Sequence, residues 1–278
     1  MNIPKLPIGE WLEAIEAWLE TNAGPLFDFI KLVIGSIVNG LGTAFNFLPP
    51  LIMILVITCL AFFIGRFRMA IFTLIGLLLV DNLGYWEHTM ETLALVLTAS
   101  FLSIVIGVPL GILCARNNNV QKVVTPILDF MQTMPAFVYL LPAVAFFSLG
   151  VVPGVFASVI FSIPPTIRLT NLGIRQVPSD LVEAADAFGS TPMQKLYKLQ
   201  LPIATPTIMA GINQTIMLSL SMVVIASMIG AQGVGADVYR AVTQAKTGVG
   251  FEAGLAVVVL AIILDRMTQN LVKKKKKG

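Results

Sequence analysis

Two stretches of the chain, Phe130 to Ile167 and Leu199 to Ala236, run for 38 residues each without a charge, while one helical crossing of a bilayer needs only about 20 apolar residues. The first divides at Gly150, Pro153 and Gly154, which favour a turn, and the second holds one crossing and a glycine-rich outer loop. Along the whole chain the pattern predicts about seven membrane spans, at 48–65, 68–85, 92–115, 130–148, 152–170, 205–229 and 249–267. The second and seventh are short at their uncharged centres and need their flanks to reach across. Before them, Trp11, Leu12, Ile15, Trp18 and Leu19 share a helical face opposite Glu13, Glu16 and Glu20. This spacing predicts an amphipathic helix on the outer membrane surface. Leu32 to Phe47 is apolar enough to compete as an eighth span. The expected organisation is an extracellular or interfacial region over 1–47, accessory spans over 48–90, a main transmembrane domain over 91–270 with a cytoplasmic loop at 175–202, and a basic cytoplasmic tail over 271–278.

Composition agrees with an all-α polytopic membrane protein. Of the 278 residues, 56% are hydrophobic and only 12% are charged, which excludes a soluble globular domain. Charge then sets the orientation. With the carboxyl end in the cytoplasm, Arg66, Arg68, Arg116, Lys122, Arg168, Arg175, Lys195, Lys198, Arg266 and Lys273 to Lys277 lie inside, 14 of the 18 basic residues, and the amino terminus lies outside. A cleaved signal peptide is not expected, because the first residues lead into the acidic stretch GEWLEAIEAWLE instead of a basic segment and an apolar core.

The chemistry for catalysis is sparse. Cys59 and Cys114 lie inside apolar runs and read as packing residues. The one histidine, His88, sits near Trp86 in an expected interfacial belt, and Asp129 and Asp265 fall near expected cytoplasmic boundaries. Lys246–Thr247 is preceded by Ala245 where a phosphate-binding loop requires glycine, so the chain is not expected to hydrolyse ATP. No metal ligand set or bound cofactor is expected, nor a nucleic-acid partner. Proline at 126, 135, 142, 164 and 165 leaves carbonyls without helical partners, either to line a pathway or to kink helices for packing.

One polar island stands out, EAADAFGSTPMQKLYKLQLP, from Glu183 to Pro202. Asp180 with Glu183 fits one capping box, and Thr191, Pro192 and Gln194 fit a second, with Gly189 free to turn the chain between them. Two short helices are predicted, the second stopped by Leu201 and Pro202. Met193, Leu196, Tyr197 and Gln200 share a face of that second helix. A connection between spans needs only a few residues, so about thirty patterned ones predict a docking element.

The island resembles the EAA loop of permease subunits in binding-protein-dependent ATP-binding cassette importers. Glu183, Ala184 and Ala185 match its opening, Gly189 its glycine, and Leu199, Leu201 and Pro202 its close, with Leu199 in place of isoleucine. The runs Leu128 to Pro142, Phe161 to Pro178 and Gly211 to Ala231 look like the glycine betaine and proline betaine permeases, with choline and carnitine systems as relatives. The resemblance implies a type I, MetI-like permease core with no catalysis of its own. It also implies a separate ATPase using ATP and magnesium, an extracellular solute-binding lipoprotein, a permease homodimer in the cell membrane, and a role in osmoprotection. It assigns docking to Glu183, Ala184 and Ala185, and a turn to Gly189. Phe137 and Tyr139, beside Met134 and Pro135, are candidates for a pathway whose aromatic faces suit a quaternary ammonium group. Alternatives are a permease for another small solute such as an amino acid, or a secondary transporter or channel; an intramembrane enzyme has no catalytic set.

Overall fold

In the computed structural model, which describes residues 7–275, every regular element is helical. The elements are α1 (Ile8–Asn46), α2 (Pro50–Asn82), α3 (Trp86–Arg116), α4 (Asn118–Thr133), α5 (Leu140–Phe147), α6 (Val151–Arg175), α7 (Ser179–Ala187), α8 (Pro192–Lys195), α9 (Leu201–Ser227), α10 (Val234–Thr243) and α11 (Thr247–Lys275). By length and composition, six helices among the described residues are long and apolar enough to cross a membrane, with the helix beginning at Pro192 counted through to Ser227, and α4 with the segment Ala136–Phe147 makes a seventh if that bent pair is one span. The last residues of the basic tail, 276–278, lie outside the described residues.

The centre of the bundle is α3, α6 and α9, packed so closely that polar groups must find each other. Ser103, Ser162, Thr166, Thr215 and Ser219 are fully buried there. Ser219 donates to the Ser162 hydroxyl at 3.0 Å, and Thr215 donates to the Ser162 carbonyl at 2.8 Å. Thr215 has one hydroxyl proton, given to that carbonyl, so Thr166 donates to Thr215 at 2.7 Å, and the Ser103 and Ser162 hydroxyls share a hydrogen bond at 3.1 Å. Lipid offers no competing partners, so such contacts hold helices together. Glycine permits the approach: a Cβ on Gly111 would lie 2.8 Å from the Ile167 carbonyl, and one on Gly211 3.0 Å from that of Pro165.

The expected spans 48–65 and 68–85 are the two arms of α2, which doubles back at Arg66, where φ is +63°. Thr58, Phe62 and Phe63 before residue 66 and Phe67, Ala70 and Leu74 after it line one cleft; in a straight helix Thr58 and Leu74 would be about 24 Å apart. Through Gly76 the second arm packs on Val259 of α11, and Gly65 at the turn meets Asn270.

Other expectations change. Residues 8–46 form one helix broken at Ala23, two residues before Pro25. Its second half packs into the bundle, with Phe27 stacked on Phe146 at 4.3 Å and Ile34 and Val38 buried. Trp11, Leu12, Ile15 and Trp18 stay exposed. The expected span 130–148 is bent by 109° between Thr133 and Ala136. Met134 is extended because Pro135 disfavours the helical conformation in the residue before it. By contrast, Pro164 and Pro165 are absorbed within α6 and buried.

His88 does more than belong to an interfacial belt. Its Nδ1 lies 2.5 Å from Asp237 of α10, and the backbone N–H of Val234 donates to Thr92 at 2.9 Å, so α3 carries α10. Asp265, expected at a boundary, is held between helices, accepting from Asn213 at 2.9 Å and from Gln269 at 2.8 Å.

Candidate functional site

The polar island forms an exposed V at one end of the bundle. Its first arm, α7, begins at Ser179 because Pro178, extended at φ −52° and ψ 132°, sets the helix start. The expected capping box at Asp180 therefore does not form. Asp180 lies inside the first turn, where its charge favours the positive end of the helix. The arm ends in a Schellman turn: Ser190 N–H donates to the Ala185 carbonyl at 3.0 Å and Gly189 N–H to that of Asp186 at 2.9 Å, with Gly189 at φ +75°. A Cβ at Gly189 would meet nothing within 4 Å, so its left-handed conformation, not crowding, favours glycine.

The second arm starts as its sequence predicts. Thr191 caps α8, accepting from Gln194 N–H at 3.3 Å while the Gln194 side chain accepts from Thr191 N–H at 3.0 Å, and Pro192 opens the helix. It does not stop at Pro202. A π-helical turn over Leu196–Gln200 leads into α9, with Leu201 N–H donating to the Leu196 carbonyl. The wider turn accommodates a proline that lacks an N–H and would clash with the carbonyl four residues back. The second arm is thus the foot of a long transmembrane helix. Leu196, expected to share the outer face, is buried with Ile174, Ala204 and Ile208 and anchors that foot.

The expected docking residues are accessible. Glu183, Ala184 and Gly189 are exposed and Ala185 is half-buried; toward the close, Leu199 and Leu201 are half-buried and Pro202 is exposed. Leu181, Phe188, Met193 and Tyr197 add exposed apolar surface, Phe188 at 90%. No residue of α7 is buried. Lys195 fixes the angle of the V by donating to both Asp186 oxygens, at 2.6 and 2.7 Å.

Sequence reasoning missed the root of this element. Arg175, the last residue of α6, donates to the Cys114 carbonyl at the end of α3 (2.8 Å), to Asn118 at the start of α4 (2.7 Å) and to Asn171 (2.9 Å). One guanidinium ties three helices four residues before α7 begins. The available signal was a basic residue in a last helical turn, where carbonyls lack partners. Arg116 of α3 also reaches the Met193 sulfur at 4.0 Å. The V is thus tied to α3 by Arg116, to α3 and α4 through Arg175 at its root, and to α9 by an unbroken helix.

The other candidates lie apart from the V. Pro135 is exposed at the bend and Phe137 is 54% exposed, whereas Tyr139 is buried with Leu140, Ala143 and Met222, and its hydroxyl donates to the Met131 carbonyl. Met134 packs against that cluster. Phe137 and Tyr139 thus present no common aromatic face; Tyr139 braces the bend. Asp129 of α4 pairs with Arg168 of α6 at 2.5 Å on the same segment.

These features can be set beside known proteins. The chain is 57% identical over 278 residues to the glycine betaine transport system permease protein OpuAB of Bacillus subtilis (strain 168), covering 100% of this chain and 99% of that one. It is 55% identical to the glycine betaine/carnitine transport permease protein GbuB of Listeria monocytogenes, over 99% of each. With the glycine betaine/proline betaine permease protein ProW of Escherichia coli (strain K12) the identity is 47%, over 95% of this chain and 75% of that one. In fold it resembles a chain of the inward-facing MetNI methionine ABC transporter, with a TM-score of 0.62 and 23% identity, over 66% of this chain and 92% of that one. Residues 107–277 match the model of the binding-protein-dependent transport system inner membrane component. An apolar helical bundle that presents this loop, and resembles such permeases along its whole length, belongs to that family of ABC importer permeases.

Proposed function

We propose that this chain is the membrane subunit of an ATP-driven importer for glycine betaine or a similar quaternary ammonium solute, driven by a separate ATPase that docks on Glu183 to Pro202. The observation that carries this reading is the V itself: an exposed, internally braced element joined without a break to α9 and tied by Arg175 to α3 and α4. A partner that pushes on it would move the helices of the central core. Full-length similarity to permeases named for glycine betaine supports the solute class.

In this reading the V and the carboxyl end face the cytoplasm, with 14 of the 18 basic residues inside. An extracellular binding protein delivers the solute between two copies of the chain, and ATP and magnesium are used by the ATPase alone. Closure of the ATPase pair shifts the bundle between outward and inward access. The bend at Met134–Pro135, with Phe137 exposed, is the stretch assigned to the route, and Tyr139 holds its shape.

Co-purification with the cognate ATPase and uptake of radiolabelled glycine betaine test the proposal together. Glu183→Lys and Gly189→Asp are expected to lose the ATPase and most of the uptake while the permease still folds. Unchanged assembly and uptake in both variants would overturn the docking role. Competition by unlabelled carnitine, proline betaine and an amino acid ranks the solutes, and inhibition by the amino acid alone would overturn the quaternary ammonium assignment.

A further inference from the structure

The arms of α2 enclose a cleft of about 360 Å³ whose walls include Phe62, Phe63, Phe67, Ile71 and Leu74. Phe63 and Phe67 are 72% and 67% exposed, so the cleft opens to the outside of the bundle. At its turn lie Arg66 and Arg68, both exposed, bracketing Phe67 in sequence. A third exposed arginine, Arg266, stands one helical turn before Asn270, the residue that packs on Gly65. Among the described residues none of the three forms an ion pair. The result is an apolar slot with exposed arginines at its turn.

Length makes that turn a problem in a bilayer. Each arm, 50–65 and 67–82, is about 24 Å long, while the hydrocarbon core is about 30 Å thick. With the open ends of the arms at one interface, the turn falls about 6 Å short of the other. Arg66 and Arg68 then lie at the edge of the hydrocarbon and must reach toward headgroups or draw a headgroup inward. A guanidinium fork matches two phosphate oxygens, and an acyl chain matches the slot. We propose that this cleft binds one anionic phospholipid of the leaflet nearest the coupling loop, its acyl chain between the arms of α2 and its phosphate at Arg66 and Arg68, with Arg266 adding to the field.

Native mass spectrometry of the full-length permease, released from detergent and titrated with dioleoylphosphatidylglycerol or dioleoylphosphatidylcholine, tests the site. Preferential retention of one phosphatidylglycerol is expected. Arg66→Gln and Arg68→Gln should each lower its affinity about fivefold and together roughly thirtyfold, with phosphatidylcholine unaffected. Ala70→Phe, which fills the slot and leaves the charges, should reduce retention of the lipid but not binding of glycerol phosphate. Equal retention of both lipids by the wild type would overturn the proposal, as would unchanged retention in the double arginine variant with a normal melting temperature. Displacement of the lipid by glycerol phosphate at equal concentration would reduce the site to an anion site and overturn the acyl-chain half. A cleft closed by a second copy of the chain would hold lipid only after dissociation, which the dimer peak would reveal, and would also overturn it.

Discussion

The V at Pro178 to Pro202 and the central contact of α3, α6 and α9 are held together by opposite means. In the V nearly every stabilising interaction is local: the Schellman turn at Gly189, the Thr191–Gln194 box and the Asp186–Lys195 pair span at most nine residues. In the core the partners are distant, as with Ser103 and Ser162, 59 residues apart, and they are fully buried. A surface element can hold its own shape and still be free to meet a partner. A lipid-embedded bundle has no hydrophobic drive to bring helix to helix, so it depends on small residues and hydroxyls from far along the chain.

Variants can break or sharpen this contrast. The largest effect is expected from Gly111→Leu, whose Cβ would lie 2.6 Å from the Cβ of Thr170. Overpacking at such a contact costs about 3 kcal/mol, so the detergent-solubilised protein should melt at a much lower temperature or fail to elute as a single species. Next, Gly189→Ala should disfavour the left-handed turn by about 1–2 kcal/mol. This loss should appear as weaker ATPase binding with little change in the melting temperature. Should Gly189→Ala lower that temperature as far as Gly111→Leu, the V is part of the core and the contrast fails.

Thr191→Ala, removing a cap worth about 1 kcal/mol, should fray the start of α8 and speed amide exchange there while exchange at Ser162 and Thr215 stays slow. Arg175→Lys sharpens the boundary between the two regions: a lysine cannot satisfy the Cys114 carbonyl, Asn118 and Asn171 with the same planar fork. ATPase binding should persist while uptake per ATP hydrolysed falls; full coupling in that variant would show that α3 and α4 follow the V by another route. The smallest effect belongs to Lys195→Met, which removes a pair whose aspartate is half exposed and which contributes about 0.5 kcal/mol. A small loss of ATPase affinity that added salt removes in the wild type checks it.

The parts of the site that were legible in the sequence are those with short-range causes. Gly189 and the Thr191–Pro192–Gln194 box sit where the sequence places them, because a cap is made by residues three apart. The same logic failed at Asp180, since Pro178 moved the helix start, and at Pro202, since a π turn let the helix continue. Local rules name the possible breaks without saying whether neighbouring helices will hold the chain through them. Burial of Leu196 against Ile174, Ala204 and Ile208 is what holds this one. Arg175 was visible only as a charge, because its partners Cys114 and Asn118 are 61 and 57 residues away.

By itself the sequence determined that the chain lives in lipid, that it is helical, and that residues 183–202 form the polar element of an importer permease. Apolar length, charge bias and capping spacings are properties of contiguous residues and survive without a fold. Only the tertiary structure decided that α2 doubles back at Arg66, that Tyr139 turns inward while Phe137 stays out, that His88 and Asp265 serve helix contacts, and that Arg175 roots the V in three helices. Each of these depends on which helices become neighbours. In a bilayer that choice is made by close packing and buried hydrogen bonds between residues far apart in the chain, and hydrophobic pattern alone does not encode it.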